Sequence, residues 1–563
     1  MEDISTAQIQ TAPFLTGRAE GESVSPLIAK TFQGLEPLLA QELTELGATD
    51  IQIGRRMVTF SGDKEMMYRA NFCLRTAIRV LKPIKLFKAK SADDVYEAVK
   101  AIDWSQYLKP ETTFAVDSVV FSPEFHHSKF VAYKVKDAIV DQFRERTGSR
   151  PNVSVSNPDI QLHIHISDYD ATLALDSSGE SLHRRGYRQE TVAAPLNEVL
   201  AAGIIMMTGW RGESDFLDPF CGSGTLCIEA ALIARGIAPG VFRKGCAFEK
   251  WPDFDPDLFE RIYNDDSGDR DFEHHIYGRD NDPKAVGIAR RNVRAAGLSK
   301  DITIDEADFR DTPLLSTSKS ETESVESPLI ITNPPYGERI TSPDLLGLYK
   351  TIGQKLKREF TGGEAWILSY REECFEEIGL RPSLKTPLYN GSLECELRKY
   401  VLFDGRLDEH RAAGGTVKTD AERRQMAEKR RFKQHRDGFK GGDRDDDRDR
   451  DDHRFNKFSR RDGDRRGGSF RDGGRRGGSF KDDDRRGGSF KDGDRRGGSF
   501  KDGDRRGGSF KDGDRRGGSL KGGDRRGKGD FRGKNDFRAK GNDRAARQEA
   551  RRRFFEGSDE SED

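Results

Sequence analysis

The sequence predicts an α/β fold, a largely parallel sheet wound with helices, over residues 181–404. An α+β region over 28–180 precedes it, and a tail over 405–563 follows that lacks the composition of a folded core. Three observations carry this prediction. From Pro195 to Phe403 short apolar runs alternate with helical patterns, the signature of a parallel sheet covered by helices. Asp218, Asp280, Asp308 and Asn333 each fall at or just beyond the end of one of those runs, where open α/β sheets place their ligands. Beyond Asp404 the aliphatic residues nearly vanish in favour of Arg, Asp, Gly and Lys.

Residues 1–27 are polar and acidic, have no apolar stretch of signal-peptide length, and are expected to form a flexible leader. Leu35, Leu38, Leu39, Leu43 and Leu46 recur at helical spacing, with Gly47 placed to cap the helix. Ile160, Leu162, Ile164 and Ile166 alternate with Gln161, His163 and His165, which predicts a half-buried strand. The two histidines share a face. With no third ligand nearby, a solvated or nucleic-acid-facing role is expected rather than a metal pair. Lys129, Lys134, Lys136, Arg144 and Arg146 form a cationic segment beside His126 and His127, but Asp137, Asp141 and Glu145 interleave with it. From charge pattern alone, a phosphate-binding face and an ordinary solvated helix face are equally open. In the α/β region the expected strands are 216–218, 276–280, 302–306, 329–332, 365–369 and 399–403. The expected helices are 225–235, 283–296 and 345–360.

The run Leu217-Asp218-Pro219-Phe220-Cys221-Gly222-Ser223-Gly224-Thr225 is a strand end leading through a glycine loop into a helix. Gly222 and Gly224 let backbone approach a ligand closely. A dinucleotide fingerprint requires Gly or Ala three residues after the second glycine and an acid about 20 residues on. Here Cys227 holds the third position and Asp280 comes after a long insertion, so that reading fails. Without a pyrophosphate, such a loop cups the adenosyl and methionyl parts of S-adenosyl-L-methionine (SAM). Asp218 would orient a water or the methionyl amine, Asp280 would accept from the ribose hydroxyls, and Asp308 would accept from the adenine amine. Each Asp taken singly could equally cap a helix or a turn.

Asn333-Pro334-Pro335-Tyr336 follows the apolar run Leu329-Ile330-Ile331. Proline cannot donate a hydrogen bond and pushes the preceding residue to extended geometry, so the turn is stiff. It offers two acceptors, the Asn333 side-chain oxygen and the Pro334 carbonyl, beside the Tyr336 ring. Such a site grips a planar amino group and stacks the ring that carries it, which points to methylation of an exocyclic nitrogen. Carbon methylation of a pyrimidine would need a cysteine nucleophile. Cys221 lies in the glycine loop instead and is expected to serve packing.

The six cysteines are scattered without C-x-x-C spacing, so neither a disulfide framework nor a zinc site is indicated, as suits a reducing, cytoplasmic setting. No apolar stretch approaches the ~20 residues of a membrane span. The near-zero net charge of −1 hides local patches, and these decide which partners bind. In the tail, a ten-residue repeat of the form Lys-Asp-Gly-Asp-Arg-Arg-Gly-Gly-Ser-Phe ends at Phe470, Phe480, Phe490, Phe500, Phe510 and Leu520. This composition predicts disorder. Its Arg-Arg-Gly-Gly units and recurring Phe suit sequence-tolerant RNA contact, the alternative being a solubilising tail.

Beyond these motifs the chain resembles the THUMP-domain class I RNA methyltransferases, specifically the RlmL/YpsC group that makes N2-methylguanosine in large-subunit ribosomal RNA. The stretches that carry the resemblance are Lys134-Val135-Lys136-Asp137-Ala138-Ile139-Val140-Asp141, Leu182-His183-Arg184-Arg185-Gly186-Tyr187-Arg188, Ala194-Pro195-Leu196-Asn197-Glu198 and Ile237-Ala238-Pro239-Gly240. The resemblance spans about 28–403 and implies a ferredoxin-like piece plus THUMP domain feeding a Rossmann-like methyltransferase domain. It implies cofactor contacts at Pro195, Asp218, Gly222, Gly224, Asp280, Asp308 and Asn333, catalysis at Asn333, Pro334, Pro335 and Tyr336, and 23S rRNA or a large-subunit assembly intermediate as partner. Lys129, Lys134 and Lys136, with Arg184, Arg185 and Arg188 between the domains, become the expected RNA contacts. Asn197 stands where relatives often carry Lys. Some relatives fuse a second domain that makes 7-methylguanosine. Here the repeat tail occupies that place, so a single activity is expected. A tRNA guanosine as substrate, or an RNA-remodelling factor with a vestigial methyltransferase fold, remain as alternatives. Deleting residues 410–563 is expected to weaken RNA affinity and flatten its salt dependence, by about 0.9 in log–log slope for each phosphate the tail would have neutralised. Turnover at saturating RNA should fall less. A collapse of turnover at unchanged affinity would contradict an RNA-binding role for the tail.

Overall fold

In the computed structural model, residues 24–405 are described except 193, 312–326 and 338–343, together with 409, 412, 416–418 and 423. The repeat tail and most of the leader therefore lie outside the described residues. Of two compact units into which the chain divides, residues 24–405 fall in one, while the other, 434–534, is not described. The first ordered strand is β1 (Ser25–Lys30), so the boundary expected at residue 27 falls inside a strand. Ile28 and Lys30 are half-buried and Leu27 and Ala29 fully buried, an alternation masked in sequence by Pro26.

After β1 come α1 (Glu36–Glu45), β2 (Thr49–Gly54), β3 (Met57–Gly62), α2 (Lys64–Cys73) and β4 (Arg79–Lys88). Then follow α3 (Ala92–Lys100), β5 (Thr113–Phe121), α4 (Ser128–Thr147), β6 (Asn152–Val153), β7 (Ile160–Ser167) and β8 (Asp170–Asp176). All eight strands share one sheet, ordered β2-β3-β1-β4-β8-β7-β5-β6. The long strand β4 joins its two halves, pairing antiparallel with β1 on one side and β8 on the other. The helix expected from the leucine spacing is α1, and Gly47 follows it at φ +87°. In β7 the apolar residues are buried as expected, and the opposite face is half-buried at Gln161 and His165 and buried at His163. His163 is 9% exposed, and burial pushes His163 down to about 3 and His165 to about 4, so both rings are neutral at physiological pH. Among the described residues no cluster of three or more His, Cys, Asp or Glu is placed to hold a metal.

The second half contains α5 (Glu198–Thr208), β9 (Phe216–Asp218), α6 (Thr225–Ala234), α7 (Pro256–Tyr263), β10 (Ile276–Asp280), α8 (Pro283–Ala295) and β11 (Ile302–Glu306). These are followed by β12 (Leu329–Thr332), α9 (Leu345–Glu359), β13 (Glu364–Ser369), α10 (Glu372–Glu377), β14 (Leu384–Asn390) and β15 (Leu393–Val401). The sheet order is β11-β10-β9-β12-β13-β15-β14. Strands β9 to β13 run parallel, whereas β15 returns antiparallel to β13 and forms a hairpin with β14. Helices α5, α7 and α10 add to the three expected, and two strands differ from expectation. The last strand runs from Leu393 rather than Lys399. Strand β14 is unexpected, because Pro387 and its alternating Lys385, Thr386 and Tyr389 mask a strand that is only half-buried at the sheet edge. Among the described residues no helix is long and apolar enough to cross a membrane.

The two halves are locked together. Gly240 in the Ile237-Ala238-Pro239-Gly240 run lies against α2, where a Cβ would meet the Phe72 ring at 2.5 Å and its carbonyl oxygen at 2.7 Å. Gly203 on α5 admits the Leu35 side chain in the same way. Beneath the glycine loop, Gly278 in the middle of β10 leaves room for its neighbours; a Cβ there would sit 2.5 Å from Ile304 Cδ1 and 2.9 Å from Cys227 Sγ. Gly278→Ala is therefore expected to destabilise the chain by about 1–3 kcal/mol through overpacking, read as a shift of the denaturant midpoint. An unchanged midpoint would show that this layer is looser than it looks.

Candidate active site

The sheet order sets the carboxyl ends of β11, β10, β9 and β12 side by side, and with them Asp308, Asp280, Asp218 and Asn333. Asp280 ends β10. Its Oδ2 accepts the Gly222 N–H at 2.9 Å and its Oδ1 accepts the Asp282 N–H at 3.0 Å, so the acid and the glycine loop hold one another. Burial raises the Asp280 carboxyl above its ordinary range despite these donors. Asp218 ends β9 and is 1% exposed. Its Oδ1 accepts from Thr332 Oγ1 at 2.7 Å and from the Phe220 N–H at 3.2 Å. Burial, opposed by those hydrogen bonds and reinforced by the charge of Asp280, pushes it up to about 7. Asp308 differs in kind. Arg310 grips both its oxygens, at 3.1 and 3.0 Å, and holds its carboxyl below the usual range.

The two glycines have different reasons. Gly222 (φ +55°) opens onto space, since a Cβ there would meet nothing nearer than Val192 Cγ2 at 3.9 Å. Gly224 (φ +80°) caps α6, and its missing Cβ makes room for Ala289 of α8 at 3.3 Å rather than for a ligand. Cys221 and Cys227 are buried below the loop with thiols pushed well up, consistent with packing.

Across the sheet, Asn333 directly follows β12. Its Oδ1 is buried and meets no donor among the described residues. Pro334 is buried, Pro335 and Tyr336 are half-buried. The Tyr336 hydroxyl accepts from Asn390 Nδ2 at 2.9 Å, and its ring stands edge-on to Tyr370 at 5.4 Å and 83°. Gly337 (φ +85°) ends the turn.

Two of the three arginines of the 182–188 run turn into the protein. Arg185 is 2% exposed. It pairs with Glu229 of α6 at 3.5 Å and donates to the carbonyls of Leu182 and Arg75 at 2.9 and 2.5 Å, while the Tyr187 hydroxyl donates to Glu229 at 2.9 Å. Arg188 pairs with Glu198 at 2.7 Å and donates to Ser223 Oγ and Thr225 Oγ1, both at 2.8 Å. Both therefore fall out of the expected RNA contacts. Arg185 locks the linker to α6, and Arg188 ties the glycine loop to the start of α5, because a guanidinium supplies enough donors to satisfy several acceptors at once. Of the three, only Arg184 reaches the surface, beside Glu180. On α4, Lys129 is exposed, Lys134 is half-buried against Asp93 at 3.2 Å, and Lys136 pairs with Asp137.

Sequence reasoning missed Asn292. Fully buried on α8, it accepts the Gln189 N–H at 2.8 Å and donates to the Ser223 carbonyl at 3.0 Å, fastening the segment before Pro195 to the glycine loop. Its amphipathic helix gave no hint, since only the fold brings the loop to it. Pro195 is half-buried, and Asn197 caps α5 by accepting from the Val199 and Leu200 N–H groups, a task that needs a short side-chain oxygen rather than a lysine.

A glycine loop open to space at Gly222, acids on neighbouring strand ends and a stiff amide-proline turn beside them fit one class: a SAM-dependent methyltransferase of the Rossmann-like type. Sequence comparison agrees. Residues 185–399 match the RMKL-like methyltransferase domain, 89–176 the THUMP domain and 26–81 the RlmL ferredoxin-like domain. A putative RNA methyltransferase of Synechocystis sp. is 40% identical over 381 residues, covering 67% of this chain and 97% of that one. The ribosomal RNA large subunit methyltransferase K/L of Syntrophotalea carbinolica is 41% identical over 384 residues. That alignment covers 66% of this chain and 53% of the relative, so the chain spans about half the length of the K/L proteins. Among solved structures, a putative methyltransferase complexed with SAH aligns with TM-score 0.60 at 31% identity, covering 68% of this chain and 99% of that one. A possible methylase from Clostridium difficile 630 aligns with TM-score 0.61 at 32% identity, covering 68% and 100%. The chain belongs to the RMKL-like, THUMP-containing methyltransferase family, and its cofactor is SAM.

The raised Asp218 has a consequence for stability. A carboxyl whose folded pKa lies above its unfolded value near 3.9 contributes stability that is present below that value and lost as pH rises through about 7. Asp218→Asn keeps the Oδ1 acceptor and removes the charge. The melting temperature of the variant is expected to gain on that of the native chain between pH 5 and 8, by roughly 2–4 °C per kcal/mol relieved. A constant difference across that range would contradict a buried, near-neutral carboxyl at this position.

Proposed function

We propose that the chain transfers the methyl group of SAM to the exocyclic N2 amine of a guanosine in 23S rRNA. The observation that carries this reading is Asn333 Oδ1, buried and without a donor among the described residues. It lies one residue beyond β12, next to the strand ends that would cradle the cofactor. A buried acceptor without a donor costs the fold about 1–3 kcal/mol, and an incoming amino group removes that deficit. SAM supplies an electrophilic methyl carbon on a sulfonium. The remaining work belongs to the chain. Asn333 Oδ1 and the Pro334 carbonyl accept the two N–H bonds of the amine and turn its lone pair out of conjugation with the ring. Tyr336 stacks the base. As the C–N bond forms the methyl–sulfur bond would break, its electron pair returning to sulfur to leave S-adenosylhomocysteine, and the nitrogen, then strongly acidic, would shed its proton to water without a dedicated base. Rate comes from positioning and from preorganised acceptors.

For the cofactor, Asp280 would take the ribose hydroxyls, Asp308 and its Arg310 partner the adenine edge, and Asp218 the methionyl amine. Pro195 and Gly222 would shape the walls, with Gly224 seating the loop against α8. The region 28–180 would grip RNA through Lys129, Lys134 and Lys136, with Arg184 just beyond it, feeding the methyltransferase domain over 181–404. The relatives named for large-subunit ribosomal RNA support the choice of substrate, and the enzyme would act in the cytoplasm.

The test is incubation of native chain and Asn333→Ala with labelled SAM and either unmodified 23S rRNA or tRNA, followed by nucleoside analysis. The native chain should yield N2-methylguanosine in 23S rRNA. Asn333→Ala should lose about 10²-fold or more in turnover while keeping its SAM affinity. Equal label from both proteins would remove Asn333 from the chemistry, and label confined to tRNA would overturn the choice of substrate.

A further inference from the structure

The edge hairpin touches the base-binding turn. Strand β14 is invisible in the sequence, yet its last residue, Asn390, donates to the hydroxyl of Tyr336 at 2.9 Å across 54 residues of chain. The bond comes from a stiff support. Asn390 pairs with Leu393, so the hairpin turns tightly on Gly391 (φ +68°) and Ser392. Leu388, two residues earlier, is fully buried. At the same level the β1–α1 turn lies against the strand: a Cβ on Gly34 would sit 3.1 Å from Leu388 Cδ2 and 3.2 Å from the Pro387 carbonyl oxygen. The opposite constraint comes from Tyr370, just past β13, whose ring meets that of Tyr336 edge-on.

We infer that Asn390 is a positioning residue for methyl transfer. It fixes the Tyr336 ring, from the hydroxyl end, in the plane the target base must stack on, and it does so from a hairpin seated on the amino-terminal region. Resting on the proposed function, this deepens it: the base platform belongs to two parts of the chain at once. A free tyrosine ring would turn about its χ1 and χ2 angles and dilute the productive stacked pose. Clamping the hydroxyl on one side and the ring edge on the other removes that freedom before the substrate arrives, which acts on turnover rather than on cofactor binding.

A double-mutant cycle tests the inference on the full-length chain. Asn390→Ala and Tyr336→Phe are each expected to lower kcat by roughly three- to tenfold, the worth of one hydrogen bond, with SAM affinity unchanged. The double variant should be no slower than the slower single one. Asn390→Asp should retain most of the native kcat, because the tyrosine hydroxyl can donate where it formerly accepted. Losses that multiply in the double variant would overturn the inference, as would an Asn390→Ala chain of native kcat. If Asn390→Ala does not fold, Asn390→Asp decides alone, and a fall in its kcat like that of Tyr336→Phe, at native melting temperature, overturns it. Failure of the proposed function looks different: the native chain itself then makes no N2-methylguanosine.

Discussion

A single amide oxygen, buried at the end of a parallel strand and without a donor among the described residues, is the constraint on which the rest of this structure turns. Asn333 Oδ1 is kept in that state by its surroundings. Strand β12 is clamped in register between β9 and β13, Thr332 is tied to Asp218, and the prolines that follow deny the turn the freedom to swing the amide into water. A relaxed turn would satisfy the oxygen with solvent and lose the site. On the proposed function, the rigidity that makes the unpaired oxygen unfavourable is the same rigidity that would hold the amino group of the target guanosine.

The cofactor side is organised by mutual restraint. Asp280 holds the Gly222 amide, Arg188 holds the loop through Ser223 and Thr225, and Asn292 holds the segment that approaches Pro195. Arg188 and Asn292 need not touch a cofactor to matter. Together they give a short glycine loop, whose residues have the least conformational preference of their own, a single shape. The Arg185–Glu229 pair, nearly inaccessible and supported by Tyr187, extends the same frame to the amino-terminal sheet. Through the Arg75 carbonyl, the region carrying the ferredoxin-like match is tied to α6 and so to the glycine loop.

Much of this was legible in the sequence, for physical reasons. Strands β9 and β12 are short buried runs, β10 and β11 bury alternate apolar residues, and polar groups stand at or beyond their ends, so the pattern placed Asp218, Asp280, Asp308 and Asn333 on one edge. Two kinds of feature were not legible. Charge pattern cannot tell a solvated arginine from one that satisfies a buried carboxylate, which is why Arg185 and Arg188 looked like phosphate contacts and His163 and His165 looked solvated. The edge strand β14 carries a proline and exposed polar residues, and its importance lies in one long-range hydrogen bond, from Asn390 to Tyr336, that leaves no local trace.

The most direct measurement is a crystal structure of the chain with SAM or its demethylated product bound. The account predicts the adenosyl and methionyl moieties along the ends of β10 and β9, with the methyl carbon within roughly 6 Å of Asn333 Oδ1. That is the span of one hydrogen bond to the target nitrogen plus one near-attack distance. A cofactor whose methyl carbon points away from Asn333, or lies on the far side of the sheet, would contradict it.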